Sequence, residues 1–396
     1  MSSSRIPGFY RLAPTARRSL VAEMAGLSEE DIEVLKNGGL DSEQADFMIE
    51  NVVGQLSIPI GVATNFVVNG TDCLVPMAIE EPSVIAAASH AAKLVRPLGG
   101  FTSVVSDPVM IGQIQLRDVP VPIRAAARLE SASAEILAKA RALSPKMVAR
   151  GGGPVGVEVR VLENNGETGT LVVHLLVDCR DAMGANLVNS LAEELSEYIG
   201  SMSDGTVGLR ILSNLSTRRT VTVSAEVGFE TLGKDGKSAA EQIVEASRFA
   251  EIDPYRAATH NKGIMNGIDA VLLATMNDWR GVEAGAHAFA AESGKYRPLA
   301  VWHIEQDCLV GHLEMPLAAG TVGGSVGTHP AARVALKILG TDSAARLTAV
   351  AGATGLATNL AALRALAKEG IQSGHMPLHK RKTVSHLSSG EKGEPK

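Results

Sequence analysis

The hydrophobic pattern changes period several times along the chain, and each change predicts an element. Residues 14–50 set acidic and apolar positions at helical spacing ("LSEEDIEVLKNGG"), with Gly38-Gly39 as a stop. "LSIPIGVATNFVVNGTDCLVPMAI" then reads as two strands about the turn signal Asn69-Gly70. "EEPSVIAAASHAAKLV" follows as a helix ended by Gly99-Gly100. Pro82 suits the first helical position, which puts Glu81 at or near the N-cap.

The middle of the chain alternates more regularly. Residues 110–117 read as a strand, and 124–149 as a long Ala-rich helix that Pro145 must bend or interrupt. Residues 157–162 and 171–177 are strands around the loop "ENNGETG". Residues 182–199 are a helix and 207–212 a strand. The order is β-α-β-β-α-β, the ferredoxin-like split βαβ pattern, and it predicts a small domain over 109–215. Beyond it, "GKSAAEQIVEASRFAEID" is helical and "LVGHLEMPLAAGTVGGSVG" is strand then loop. Residues 343–369 form a long helix of small residues, better read as buried than as a membrane span. "HNKGIMNGID", residues 260–269, fits neither pattern: too polar for a core strand, too rich in glycine for an ordinary helix. The polar end, "HKRKTVSHLSSGEKGEPK", reads as disordered.

Composition narrows the function. The chain has 396 residues, 45% of them apolar but only 3% aromatic, so small side chains must do much of the packing. A net charge of -6 without a basic stripe gives no reason to expect nucleic acid. Cys73, Cys179 and Cys308 lie far apart with no CxxC, which argues against a zinc site or a disulfide framework and fits a reducing cytoplasm. "MSSSRIPGFYRL" has no apolar core of a signal peptide.

Three short motifs are decoys. "GGGPVG" at 151–156 matches GxGxxG, yet it follows a helix and opens a strand, the reverse of a dinucleotide fingerprint. "GGSVG" at 323–327 matches GxSxG, and Ser325, Asp342 and His375 would complete a hydrolase order. The strand before it ends too early, however, and Pro330 interrupts the segment after it. "HMPLH" has the metal spacing of His375 and His379 but no acidic third ligand beside it.

Better candidates are isolated polar residues in apolar or small-residue settings. They are Glu81 between a strand and a helix; Arg256, Lys262 and Asn266 in "DPYRAATHNKGIMNGID"; Asp278 in "NDWR"; and His375 in "GHMPLH". "VDCRDAMGAN" runs from a strand into a helix N-terminus, where free N–H groups can hold a phosphate or amide.

Together with "ENVVGQLSIPIGVATNF", "LRILSNL", "NDWRGVEAGAHA" and "EGIQSGHMPLH", these segments resemble class II 3-hydroxy-3-methylglutaryl-coenzyme A (HMG-CoA) reductase, in the family's order from about residue 50 to 379. The resemblance implies reduction of HMG-CoA to mevalonate and coenzyme A with two NAD(P)H. It implies an α+β fold: a large helix-rich substrate domain (1–108 and 216–375) interrupted by the ferredoxin-like cofactor domain (109–215). The implied catalytic set is Glu81, Lys262, Asp278 and His375. Lys262 would hold the oxyanion, His375 would protonate the leaving thiolate, and Glu81 would act as acid if kept protonated by burial and by Asp278 nearby. Substrate contacts fall on Ser83, Arg256 and Asn266. Cofactor contacts fall on Asp181, Met183, Gly184, Asn186 and Asn214, and near Ser144.

Arg141, Lys146 and Arg150 around Ser144, in place of an acidic group, favour NADPH slightly over NADH. The family further implies cytoplasmic homodimers that share active sites and assemble into hexamers, with no membrane attachment. Residues 376–396 are shorter than the family's helical flap. That leaves a non-catalytic thioester- or cofactor-binding relative as the alternative.

Overall fold

The computed structural model describes residues 3–164 and 168–368. The chain opens with three helices, α1 (Pro14–Ala25), α2 (Glu29–Asn37) and α3 (Ser42–Met48). β1 (Ile60–Val68), β2 (Thr71–Ala78), α4 (Val84–Val95) and β3 (Phe101–Val105) follow. Next come β4 (Val109–Val119), α5 (Pro122–Ser131), α6 (Ser133–Leu143), α7 (Pro145–Ala149), β5 (Gly153–Asn164), β6 (Gly169–Asp178), α8 (Ala185–Ser203) and β7 (Thr206–Ser213). The remainder is β8 (Thr220–Gly228), α9 (Phe229–Leu232), α10 (Gly236–Ile252), α11 (Pro254–Ala274), α12 (Trp279–Ala290), β9 (Ala300–Glu305), β10 (Cys308–Pro316), α13 (Gly324–Thr328), α14 (Pro330–Leu339) and α15 (Ala344–Lys368).

Among the described residues ten strands form two sheets. The larger runs β2-β1-β3-β8-β10-β9, with β1 and β3 parallel and the other neighbours antiparallel. The smaller, β5-β6-β4-β7, is antiparallel throughout. The β-α-β-β-α-β order read from the sequence is therefore present. Its second and third strands pair, and the first lies between the third and the fourth. Each sheet packs helices over its own apolar cluster: Val188, Leu191, Leu195 and Ile199 of α8 meet Ile114, Leu116 and Leu175 of the small sheet. In the large one, α4, α11 and α15 close over Phe66, Val75, Phe101 and Val223.

Several local expectations need correction. The helix expected over 124–149 is three helices, broken at Ala132 and again before Pro145. The helix after Glu81 starts two residues later than Pro82 suggested: Ser83 is the cap position, with φ of 81°. "HNKGIMNGID" is not an irregular run at all. It is the middle of α11, a 21-residue helix.

Its glycines are there for packing. A Cβ on Gly267 would lie 2.6 Å from Thr358 Oγ1 and 2.7 Å from the Thr354 carbonyl of α15. From the other side, one on Gly355 would lie 2.8 Å from Ile268. Helices this close need hydrogen at those positions, which is where the low aromatic and high glycine content is used. Gly267→Val should destabilise the protein by roughly 1–3 kcal/mol or more through overpacking, read as a lower denaturant midpoint. α15 includes the one described helix long and apolar enough to cross a membrane, and 72% of its most apolar window is buried inside the protein. The reading of a buried helix holds.

Candidate active site

The sharp step from β2 into α4 sets the first group. Glu81 follows the strand, and the left-handed backbone at Ser83 turns the chain into the helix. A serine held at positive φ costs about 1–3 kcal/mol, a strain that clusters at functional sites. Opposite stands the outward stripe of α11, with Lys262 and Asn266 one turn apart. Lys262 Nζ lies 2.7 Å from Glu81 Oε2. Both side chains are accessible, 60% and 41%. An exposed pair of this kind contributes about 0–1 kcal/mol, so stability does not explain it. The burial expected to keep Glu81 protonated is not supplied by the single chain, and no hydrogen bond or ion pair joins Asp278 to this pair among the described residues.

Glu81 and Ser83 line a cleft of about 630 Å³, whose other wall is the N-terminal segment with Arg5, Tyr10 and Arg17, and whose floor includes His90 and Lys93. Sequence reasoning missed these cations. "RIPGFYRL" was the available signal, but only the fold carries it to Glu81. Arg256 sits six residues before Lys262, about 120° around the helix. Its backbone N–H donates to Asp253, and its half-buried guanidinium is held below the usual arginine range by desolvation. It has no carboxylate ion-pair partner among the described residues.

Asp278 belongs to a second locus. It caps α12, accepting the Gly281 N–H at 3.1 Å, and shares a narrow crevice with Met183, Asn214 and Ser216. A Cβ on Gly285 would stand 2.3 Å from the Asn214 carbonyl, so α12 can lie against this loop only with glycine there. Met183 and Gly184 are in the turn from β6 into the 19-residue α8, where Gly184 has φ of 99° and a Cβ would strike Cys179. Asn186 is exposed in the first turn. The free N–H groups there fit a phosphate or an amide.

Three cofactor expectations change in detail. Asp181 already accepts the Ala344 N–H at 2.9 Å, capping α15, while its carbonyl accepts Thr321 and Val322 N–H groups. Ser144 is buried and donates to the Ala140 carbonyl, so its hydroxyl faces the helix rather than a ligand. Of the bases around it, Arg141 donates to the Pro154 carbonyl, whereas Lys146 and Arg150 are exposed. Arg180, 3.6 Å from Asp178, adds to this patch and was missed. Missed too was Arg219, which is 2% exposed and donates to the carbonyls of Ala182, Met183 and Ala319, pinning the "DAMGAN" turn from below. His375 and the "HMPLH" spacing lie outside the described residues. Among the described residues no cluster of His, Cys, Asp and Glu could hold a metal. Ser325 lies on the exposed face of the short α13, after a loop rather than a strand, which leaves the hydrolase elbow without its geometry.

A carboxylate–ammonium pair whose glutamate lines an anion-suited cleft, and a second carboxylate beside a glycine-capped helix start, are features suited to an enzyme with two ligands. The profile of the hydroxymethylglutaryl-coenzyme A reductase family matches residues 13–380. The chain is 48% identical over 381 residues to the 3-hydroxy-3-methylglutaryl-coenzyme A reductase of Archaeoglobus fulgidus, covering 96% of this chain and 86% of that one. It is 36% identical to the probable reductase of Borreliella burgdorferi, covering 98% and 90%. In three dimensions it is similar to the class II reductase of Streptococcus pneumoniae bound to NADPH in open conformations. The TM-score is 0.87 at 43% identity, over 91% of this chain and 99% of that one. The chain belongs to the HMG-CoA reductase family.

Proposed function

We propose that the chain reduces HMG-CoA to mevalonate and free coenzyme A, using two equivalents of NADPH or NADH. The observation that carries the residue assignment is the 2.7 Å Lys262–Glu81 pair, whose glutamate lines the cationic cleft. A thioester carbonyl that accepts hydride becomes an oxyanion, and an ammonium already in place stabilises it without reorganisation. The nicotinamide cofactor supplies the hydride when bound. The chain's own groups do the rest: Lys262 holds the oxygen and can pass a proton to it, and Glu81 fixes the Lys262 ammonium in place.

Collapse of the hemithioacetal expels a thiolate, and we assign its protonation to His375. Arg256, Asn266 and Ser83 are the substrate contacts, with Arg256 taking the free carboxylate of HMG. Arg5, Arg17 and Lys93 are suited to the phosphates of coenzyme A. Met183, Gly184, Asn186 and Asn214 hold the cofactor in the domain over 109–215, which we read as ferredoxin-like. The exposed bases Lys146, Arg150 and Arg180 favour a 2′-phosphate, hence NADPH.

The separation of Asp278 from Lys262 within one chain supports a homodimer in which two protomers complete each site. The exposed apolar residues between Phe47 and Leu56 support the same reading. Hexamers of three dimers extend it. Three free cysteines, two of them buried with thiols pushed up to about 11 by desolvation, support residence in a reducing cytoplasm.

Purified protein mixed with HMG-CoA should oxidise NADPH, and NADH more slowly, seen as loss of reduced-nicotinamide absorbance. Binding of both ligands without turnover by a folded sample would overturn the proposal in favour of a non-catalytic relative.

A further inference from the structure

α11 carries Lys262 and Asp278 caps α12, and the two helices meet near two carboxyl groups that the proposed chemistry does not use. Asp269 lies two turns beyond Lys262, and Glu283 lies five residues beyond Asp278. The Asp269 carboxyl faces that of Glu283, and its Oδ1 is buried without a hydrogen-bond partner among the described residues. Ionised carboxylates only accept hydrogen bonds, so two that face each other can bond only with a proton between them.

Glu283 also reaches His287 Nε2 at 3.3 Å, and His287 Nδ1 meets the Tyr296 hydroxyl at 2.7 Å. No Lys or Arg forms an ion pair with either carboxyl group among the described residues. The titratable groups next to the pair that the described contacts show are His287 of α12 and, through it, Tyr296 of the loop after that helix.

We propose that Asp269 and Glu283 are positioning residues for the reaction: by sharing one proton they clamp the Lys262 helix to the Asp278 helix. Loss of that proton puts two like charges in contact in a partly dry gap, which forces α11 and α12 apart. A small displacement of either reacting group is enough to slow catalysis strongly. The inference rests on the reductase reading for its kinetic consequence but not for its stability consequence.

Burial, the Glu283 hydrogen bond and Glu283 charge push Asp269 up to about 9 from 3.8. The native acid stays neutral where the unfolded one ionises. The cost to stability is thus absent below the unfolded value, grows as pH rises toward the native value, and is constant above it.

Asp269→Asn keeps the shape and supplies a permanent donor. Against wild type it should show a melting midpoint advantage that widens from about pH 5 to about pH 9. Wild-type kcat should fall about tenfold per pH unit once the pair ionises, with little change in KM for HMG-CoA. Asp269→Asn and Glu283→Gln should carry that alkaline limb to higher pH. Limbs from other groups are common to all three proteins, so the difference reads the pair.

Superimposable kcat profiles overturn the positioning role, even if the midpoint advantage widens. A midpoint gap that does not change with pH overturns the shared proton. Wild type without any turnover defeats the reductase reading instead, and the thermal comparison still judges the clamp.

Discussion

Lys262→Ala is expected to lower kcat for HMG-CoA reduction by about 10²–10³-fold, the cost of removing one preorganised oxyanion donor. KM for HMG-CoA should change far less, because the ammonium is worth most after the carbonyl has become negative. The melting midpoint should hold. Lys262 is 60% accessible and its ion pair is with Glu81, itself 41% accessible, so the pair adds little to stability. Lys262→Arg keeps the charge but spreads it over a planar fork, and should recover only part of the rate. Steady-state kinetics on both variants, with cofactor saturating, reads these outcomes. A Lys262→Ala enzyme within threefold or so of wild type would remove the lysine from the chemistry.

How far the sequence foretold this site depends on the kind of signal. The strands of the small sheet were legible as short apolar runs between turn signals: β6 buries both faces and was bounded to within two residues by its flanking loop. The β-α-β-β-α-β order was legible for the same reason. α11 was not, because glycine reads locally as a helix breaker. In this helix Gly267 is the point where α15 passes at contact distance, a tertiary demand that overrides propensity. The start of α4 was misplaced because a serine at positive φ has no local signature. Glu81 and Lys262, singled out as isolated polar residues, lie 181 residues apart in sequence and 2.7 Å apart in space. Ser144 was placed by the family resemblance alone, and helix packing turns its hydroxyl inward. Arg219 was illegible because its partners come from distant segments, and Asp269 and Glu283 because their meeting depends on how α11 and α12 pack.

A second large effect is expected from the exposed stretch after α2. Phe47 is 87% accessible, Val53 103% and Leu56 90%, a density of uncovered apolar side chains that a monomer rarely tolerates. If the proposed dimer seats on this stretch, Val53→Asp with Leu56→Asp puts two unpaired carboxylates into a buried interface. Losing hot-spot contacts of about 2–4 kcal/mol weakens a dimer by roughly 30- to 700-fold. Light scattering or sedimentation should then find monomer at concentrations where wild type is dimeric. Activity should fall in the same proportion, because Asp278 and the Lys262–Glu81 pair stand at separate loci in one chain. The fold itself should survive, since neither side chain touches the apolar clusters of the two sheets. Specific activity of the variant should therefore rise with protein concentration while that of wild type stays flat. A monomeric variant with full activity at every dilution would show that one protomer holds a complete site.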